Sequence, residues 1–181
     1  MSASMTTESA VRELLISLGE DPDREGLRDT PRRAAKMYHE LLHPPEFSFT
    51  TFDSEGMSEL IVQSHIPFYS LCEHHMLPFM GEAHVGYIPN GKIVGLSKLA
   101  RAVQHCACGF QNQERVTMHV ADLLEQHLAP TGIGVILKAR HLCIEMRGVK
   151  AHDTWTTTSC MRGVLLTEPS ARAEFLNLVK S

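Results

Sequence analysis

An α+β fold is predicted by three observations. Apolar residues recur at helical spacing near the N-terminus and again in mid-chain, and strand-like alternating runs lie between and after them. An Asn-Gly turn signal joins neighbouring strands, which favours antiparallel pairing over a doubly wound parallel sheet.

Each element follows in order. Residues 1–10 are small and polar and are expected to fray. Val11, Leu14, Leu15 and Leu18 form a helical stripe that Gly19 ends, and residues 19–28 make a charged, turn-rich connector. Thr30-Pro31 reads as the cap and first position of a second helix. Ala34, Tyr38, Leu41 and Leu42 lie on its apolar side, with Arg32, Arg33 and Lys36 outside, and Pro44-Pro45 closes it. This helical region is taken as residues 1–48 and the remaining domain as 49–181. Strand character begins near Glu59. Ala83, Val85 and Tyr87 alternate with Glu82, His84 and Gly86, and Pro89-Asn90-Gly91-Lys92 predicts a type I′ hairpin with Ile93–Leu96 returning. Ser97 reads as the cap of a helix with Leu99, Val103, Cys106 and Phe110 inward. A further helix covers about Gln113 to Leu128. A strand over Val135–Val149 and a Thr-rich strand over Thr154–Leu166 complete the order.

Composition excludes several classes. With 43% hydrophobic and 21% charged residues the chain reads as an ordinary globular protein. A net charge of −4 offers no general basic surface for nucleic acid or an anionic membrane. No secretory or membrane-spanning segment is legible, and an odd five cysteines read as reduced thiols and metal ligands. A cytoplasmic location is the expectation.

The chemistry concentrates in Cys72-Glu73-His74-His75 and His141-Leu142-Cys143. Cys72, His75 and Cys143 offer two thiolates and an imidazole, a donor mixture that zinc favours, and no equally good fourth ligand accompanies them. Three ligands lean towards catalysis, because structural zinc sites are usually closed by four. If His75 ligates, His74 is free for acid–base work. On a continuous strand His141, Cys143, Glu145 and Arg147 would share one face at ~6.5 Å intervals, placing a ligand, a possible proton donor and a cation in one row. Lys98 and Arg101 project to one side of a helix start, which suits a phosphate chain, although a solvated basic face is the commoner case for such a pair. Glu114 is an ordinary acidic residue at a helix start, or a carboxylate able to accept the paired N–H groups of a purine. Cys106-x-Cys108 is read as packing, since residues two apart on a helix diverge.

The ordered segments 19–27, 29–38, 70–75, 95–101, 111–115, 141–149 and 157–163 resemble GTP cyclohydrolase I. The resemblance implies a tunnelling fold, an antiparallel sheet backed by two helices after an N-terminal helical extension, assembled as a toroidal homodecamer with active sites between subunits. It implies hydrolysis and rearrangement of GTP to 7,8-dihydroneopterin triphosphate with release of formate, the first step of tetrahydrofolate or pterin biosynthesis. By position, Cys72, His75 and Cys143 would hold Zn2+, and His74 and His141 would handle protons with Ser97 near the ribose. Glu114 and Gln113 would grip the guanine and ribose end. Lys98, Arg101 and Arg147 would bind triphosphate, joined by Arg33 and Lys36 from a neighbouring subunit. Cys108-Gly109-Phe110 and Asn112 depart from the usual pattern. Two rivals carry different chemistry. Another tunnelling-fold enzyme would not need the Cys/His/Cys set, and a zinc-stabilised binding protein would have no use for His74 and His141.

Overall fold

The computed structural model describes residues 5–44 and 46–180. Along the chain run α1 (Thr7–Ser17), α2 (Thr30–Leu42), β1 (Thr51–Asp53), β2 (Ile61–Cys72), β3 (Pro78–Ile88), β4 (Lys92–Val94), α3 (Leu96–Ala107), β5 (Phe110–Gln111), α4 (Gln113–Leu128), β6 (Gly132–His141), α5 (Leu142–Glu145), β7 (Thr156–Gly163), α6 (Val164–Thr167) and α7 (Pro169–Lys180). The chain divides into two compact units, residues 1–43 and 44–181.

The first unit is the helix pair α1 and α2. The expected frayed start lies partly outside the described residues, but Thr7–Ala10 already belong to α1, because Thr6 and Ser9 close a reciprocal capping box. Asp29, not Thr30, holds the cap position of α2, which moves Thr30 and Pro31 into its first turn. That helix ends at Leu42, and Pro45 lies outside the described residues.

The second unit is built on a five-stranded sheet in the order β5-β2-β3-β6-β7, antiparallel except for the short parallel contact of β5 with β2. The α+β expectation is met. Buried Leu99 and Val103 of α3 and Val116, Val120 and Leu124 of α4 join Phe68, Val85, Tyr87, Val135 and Leu137 of the strands in one core. At Gly86, β3 is covered on its other face as well. Phe175 of α7 packs so closely on Gly86 and Gly134 that a methyl group there would meet its ring at 2.8 and 2.7 Å. The sequence reading contained no such C-terminal helix.

Several local expectations are corrected. Only Gly91 in the Pro89–Lys92 turn has positive φ (76°), so the turn is not type I′, and β4 pairs with β1 instead of returning along β3. Gly95 caps α3, leaving Ser97 inside its first turn, and Phe110 has left the helix for β5. The long strand over Val135–Val149 stops at His141, where Leu142–Glu145 turn into a short helix. The register explains the stop. Phe79 pairs with His141, so the next partner on β3 is Pro78, which has no N–H to continue the ladder. The Thr-rich strand likewise ends early, at Gly163.

Candidate active site

Cys72 ends β2 and begins a tight turn, with Met76 N donating to Cys72 O at 2.8 Å and Cys72 N to Leu77 O at 2.8 Å. Met76 takes a left-handed conformation (φ 57°) to complete it. The turn folds His74 and His75 back towards the thiol, with their Nδ1 atoms 3.9 and 3.8 Å from Cys72 Sγ. Across the sheet end, the α5 turn delivers Cys143. One ligand atom from each of Cys72, His75 and Cys143 lies within 4.8 Å of the others. Both thiols are buried and His75 is exposed, so the group opens to solvent on its imidazole side. Burial, followed by the adjoining Cys72 thiol, pushes the Cys143 thiol up. Two sulfurs and one nitrogen at this spacing fit a tetrahedral zinc ion with one position left for a non-protein ligand.

A clip holds the turn against α4. Asn112 caps that helix by accepting from Arg115 N at 2.8 Å, and its amide donates to Glu73 Oε1 at 2.9 Å. Arg115 also pairs with Glu73, and with the Asn112 bond this holds the Glu73 carboxyl below its ordinary range. Asn112, a departure from the family pattern, is thus accounted for as a cap and a bridge.

His141 ends β6 with its ring stacked on Phe79, 4.8 Å between centroids and 3° from parallel. Its Nε2 lies 2.8 Å from Gln113 Oε1. Gln113 Nε2 faces Leu137 O, Thr156 O and Thr158 Oγ1 at 3.0, 3.0 and 3.1 Å. The two carbonyls can only accept, so the amide nitrogen must point at them and the amide oxygen at His141. His141 therefore carries a proton on Nε2, and Nδ1 is the atom left to gain or lose one. Thr117 donates to Gln113 O at 2.8 Å, which leaves Thr158 to donate to Thr117 and gives the chain of bonds a single direction. Burial lowers the His141 pKa, opposed by the carboxylates of Glu114 and Glu145.

The structure thus brings together Cys72, His74, His75 and Cys143, and it sets Gln113 against His141. Gln113 is only 1% exposed and both ends of its amide are bonded within the protein. Glu114 is exposed at the start of α4. Arg147 is exposed beyond α5, its Nη1 3.5 Å from Cys143 O. The face shared by His141, Cys143, Glu145 and Arg147 does not exist, because alternation ends with the strand. Glu145 is buried and accepts from Arg140 Nε and Nη2 at 2.8 and 2.6 Å, which keeps it a carboxylate and removes it as a proton donor. Among the described residues no hydrogen bond or ion pair joins Ser97, Lys98 or Arg101 to this group. Arg33 and Lys36 belong to the other unit, where they pair with Asp29 at 3.3 Å and Glu40 at 3.8 Å. Sequence reasoning missed the supporting roles of Phe79, Arg115 and Thr158. The Thr-rich strand was visible, but nothing local tied it to a buried glutamine.

Comparison with known proteins decides the family. A family model described as GTP cyclohydrolase I matches residues 7–180. The chain belongs to the GTP cyclohydrolase I family. It is accordingly an enzyme of that family. Similar proteins named GTP cyclohydrolase 1 include one from Geobacillus kaustophilus, 51% identical over 96% of this chain and 95% of that protein. One from Aquifex aeolicus is 49% identical over the same shares. Among solved structures, the archaeosine synthase QueF-Like in the apo form aligns at a TM-score of 0.46 and 13% identity, over 59% of this chain and 94% of that one, a likeness too weak to inform the reading. Among the described residues no helix is long and apolar enough to cross a membrane.

Proposed function

We propose that this chain converts GTP and water to 7,8-dihydroneopterin triphosphate and formate, supplying the first intermediate of tetrahydrofolate or pterin synthesis. The observation that carries the reading is the convergence of Cys72, His75 and Cys143 within 4.8 Å, beside two histidines free of that ligand set, in a member of this family.

The reaction adds water at C8 of guanine, opens the imidazole ring, expels C8 as formate and rebuilds a six-membered ring from the ribose. Cys72, His75 and Cys143 would hold Zn2+, which when bound supplies Lewis acidity and lowers the pKa of water towards neutrality. His141 is set to exchange a proton at Nδ1, since Gln113 and Phe79 fix its other nitrogen and its ring plane. Gln113 acts from beneath as a positioning residue, its amide being committed to the protein. Glu114, next along α4, is exposed and can accept the paired N–H groups of guanine. His74 remains near Cys72 for a second proton transfer, with Ser97 towards the ribose.

The triphosphate needs cations, and the net charge of −4 means they must be local. Arg147 is carried next to Cys143, whereas Lys98 and Arg101 form a separate basic group at the start of α3. A toroidal homodecamer of tunnelling-fold subunits would bring Lys98, Arg101, Arg33 and Lys36 to a site from neighbouring chains. Binding the phosphates far from the reacting carbon orients it for attack.

The test is a product assay on zinc-loaded protein with saturating GTP. A fluorescent pterin after oxidation and an equal amount of formate are expected. Zinc-replete protein that yields neither product contradicts the reading.

A further inference from the structure

A second cluster lies away from the cysteine–histidine centre. A nitrogen of His65, a carboxylate oxygen of Glu82 and a nitrogen of His84 lie within 4.8 Å of one another. His65 is seven residues before Cys72 on β2, so along the strand the two groups are separated by roughly 20 Å. The cluster takes no part in the chemistry derived above.

The backbone builds it deliberately. The register of β2 against β3 jumps between Gln63 and Ile66, a bulge that sets Ser64 and His65 opposite His84. His65 adopts φ 54° there, a strained conformation for a residue with a Cβ. The bulge turns its ring towards Glu82, with Nδ1 2.7 Å from Oε2. Glu82 and His84 are two apart on β3 and share a face, and His84 Nε2 is 3.8 Å from Glu82 Oε1. The two imidazoles meet edge to face at 4.9 Å.

His84 is only 4% exposed. Its Nδ1 accepts a long bond from His65 N at 3.4 Å, so Nε2 is the nitrogen that faces the carboxylate. The neighbouring cation is partly diverted. Lys138 pairs in register with Glu82, but its ammonium lies over the Trp155 ring at 5.0 Å. His65 is exposed, leaving a side for water to complete a coordination sphere.

We propose that His65, Glu82 and His84 form a second metal site that takes a divalent transition cation of the Zn2+ type. Bonds of 2.0–2.1 Å at tetrahedral angles need ligand atoms roughly 3.3 Å apart. The 2.7 Å contact is to Oε2 and the 3.8 Å contact to Oε1, so side-chain rotation has to draw both imidazoles, already within 4.8 Å, around one carboxylate oxygen. Two imidazoles and a carboxylate make a nitrogen–oxygen donor set with no sulfur, distinct from the thiolate centre. On binding, the proton between His65 Nδ1 and Glu82 leaves to solvent. His84 keeps its proton by moving it to Nδ1, which gives up the long backbone contact.

The two sites are separable by Co2+ titration of the chelator-stripped full-length chain. One equivalent should develop the strong near-ultraviolet absorption of cobalt–thiolate bonds, and another only weak visible bands. A His65→Ala/Glu82→Gln variant should lose the second equivalent and keep the thiolate signal, which also reports an intact fold. Conversely, Cys72→Ser/Cys143→Ser should lose the thiolate signal and keep the other equivalent. A wild-type chain that takes one equivalent, with thiolate absorption, overturns the proposal. So does a His65→Ala/Glu82→Gln variant that still takes two.

Discussion

At the residue scale, Gln113 holds His141 through a 2.8 Å contact between Oε1 and Nε2. Gln113 Nε2 is anchored on two backbone carbonyls, so its oxygen can serve only as an acceptor for His141. Gln113→Leu keeps much of the volume but removes that acceptor. We expect turnover to fall ~10–100-fold with little change in KM and with zinc retained, as for other groups that orient a functional histidine. A raised KM with unchanged kcat would instead mean that Gln113 binds substrate directly. His141→Ala should bind zinc and GTP yet lose ~10²–10⁴-fold in turnover, the range of a lost general acid. Single-turnover kinetics with separately measured GTP binding checks both variants. Cys72, His75 and Cys143 could be chosen from the sequence by donor chemistry alone. The partnership of Gln113 with His141 could not, because it depends on β6 and β7 placing Leu137 O, Thr156 O and Thr158 together under the glutamine.

At the element scale, α4 holds the site and α7 holds the sheet. Asn112→Ala removes the cap of α4 and a bond to Glu73, so about 1 kcal/mol of stability should be lost in denaturant unfolding. Phe175 is fully buried against glycines of β3 and β6, and Phe175→Ala should cost about 3–5 kcal/mol. Cys106 supplies a pH test. Burial, then Asp122, pushes its thiol from 9.0 up to about 12. Between those values the unfolded chain releases a proton that the folded chain keeps, so stability falls as pH rises from about 9 to 12. Cys106→Ala should flatten that part of the unfolding profile. The helices α3 and α4 were legible from their apolar spacing, with α4 matching its expected range. The end of β6 was not, because it depends on a proline in the partner strand whose register no local pattern reveals. The C-terminal α7 escaped for a similar reason: its single deeply buried residue, Phe175, leaves a faint stripe.

At the scale of the whole molecule, one chain gathers the candidate metal ligands Cys72, His75 and Cys143, while among the described residues no hydrogen bond or ion pair joins Lys98 or Arg101 to them. If subunits complete the site, sedimentation should show an assembly far larger than a 20.2 kDa chain. Monomeric protein with full activity would remove the shared-site arrangement. We propose that the Cys72–His75–Cys143 group holds the zinc that GTP hydrolysis requires. Formate release measured beside zinc content, in wild-type protein and in Cys143→Ala, tests it most directly. Wild-type protein should release one formate per GTP consumed, and Cys143→Ala should lose both thiolate-bound metal and formate release. A Cys143→Ala variant that keeps its zinc at this centre and full formate release would contradict it.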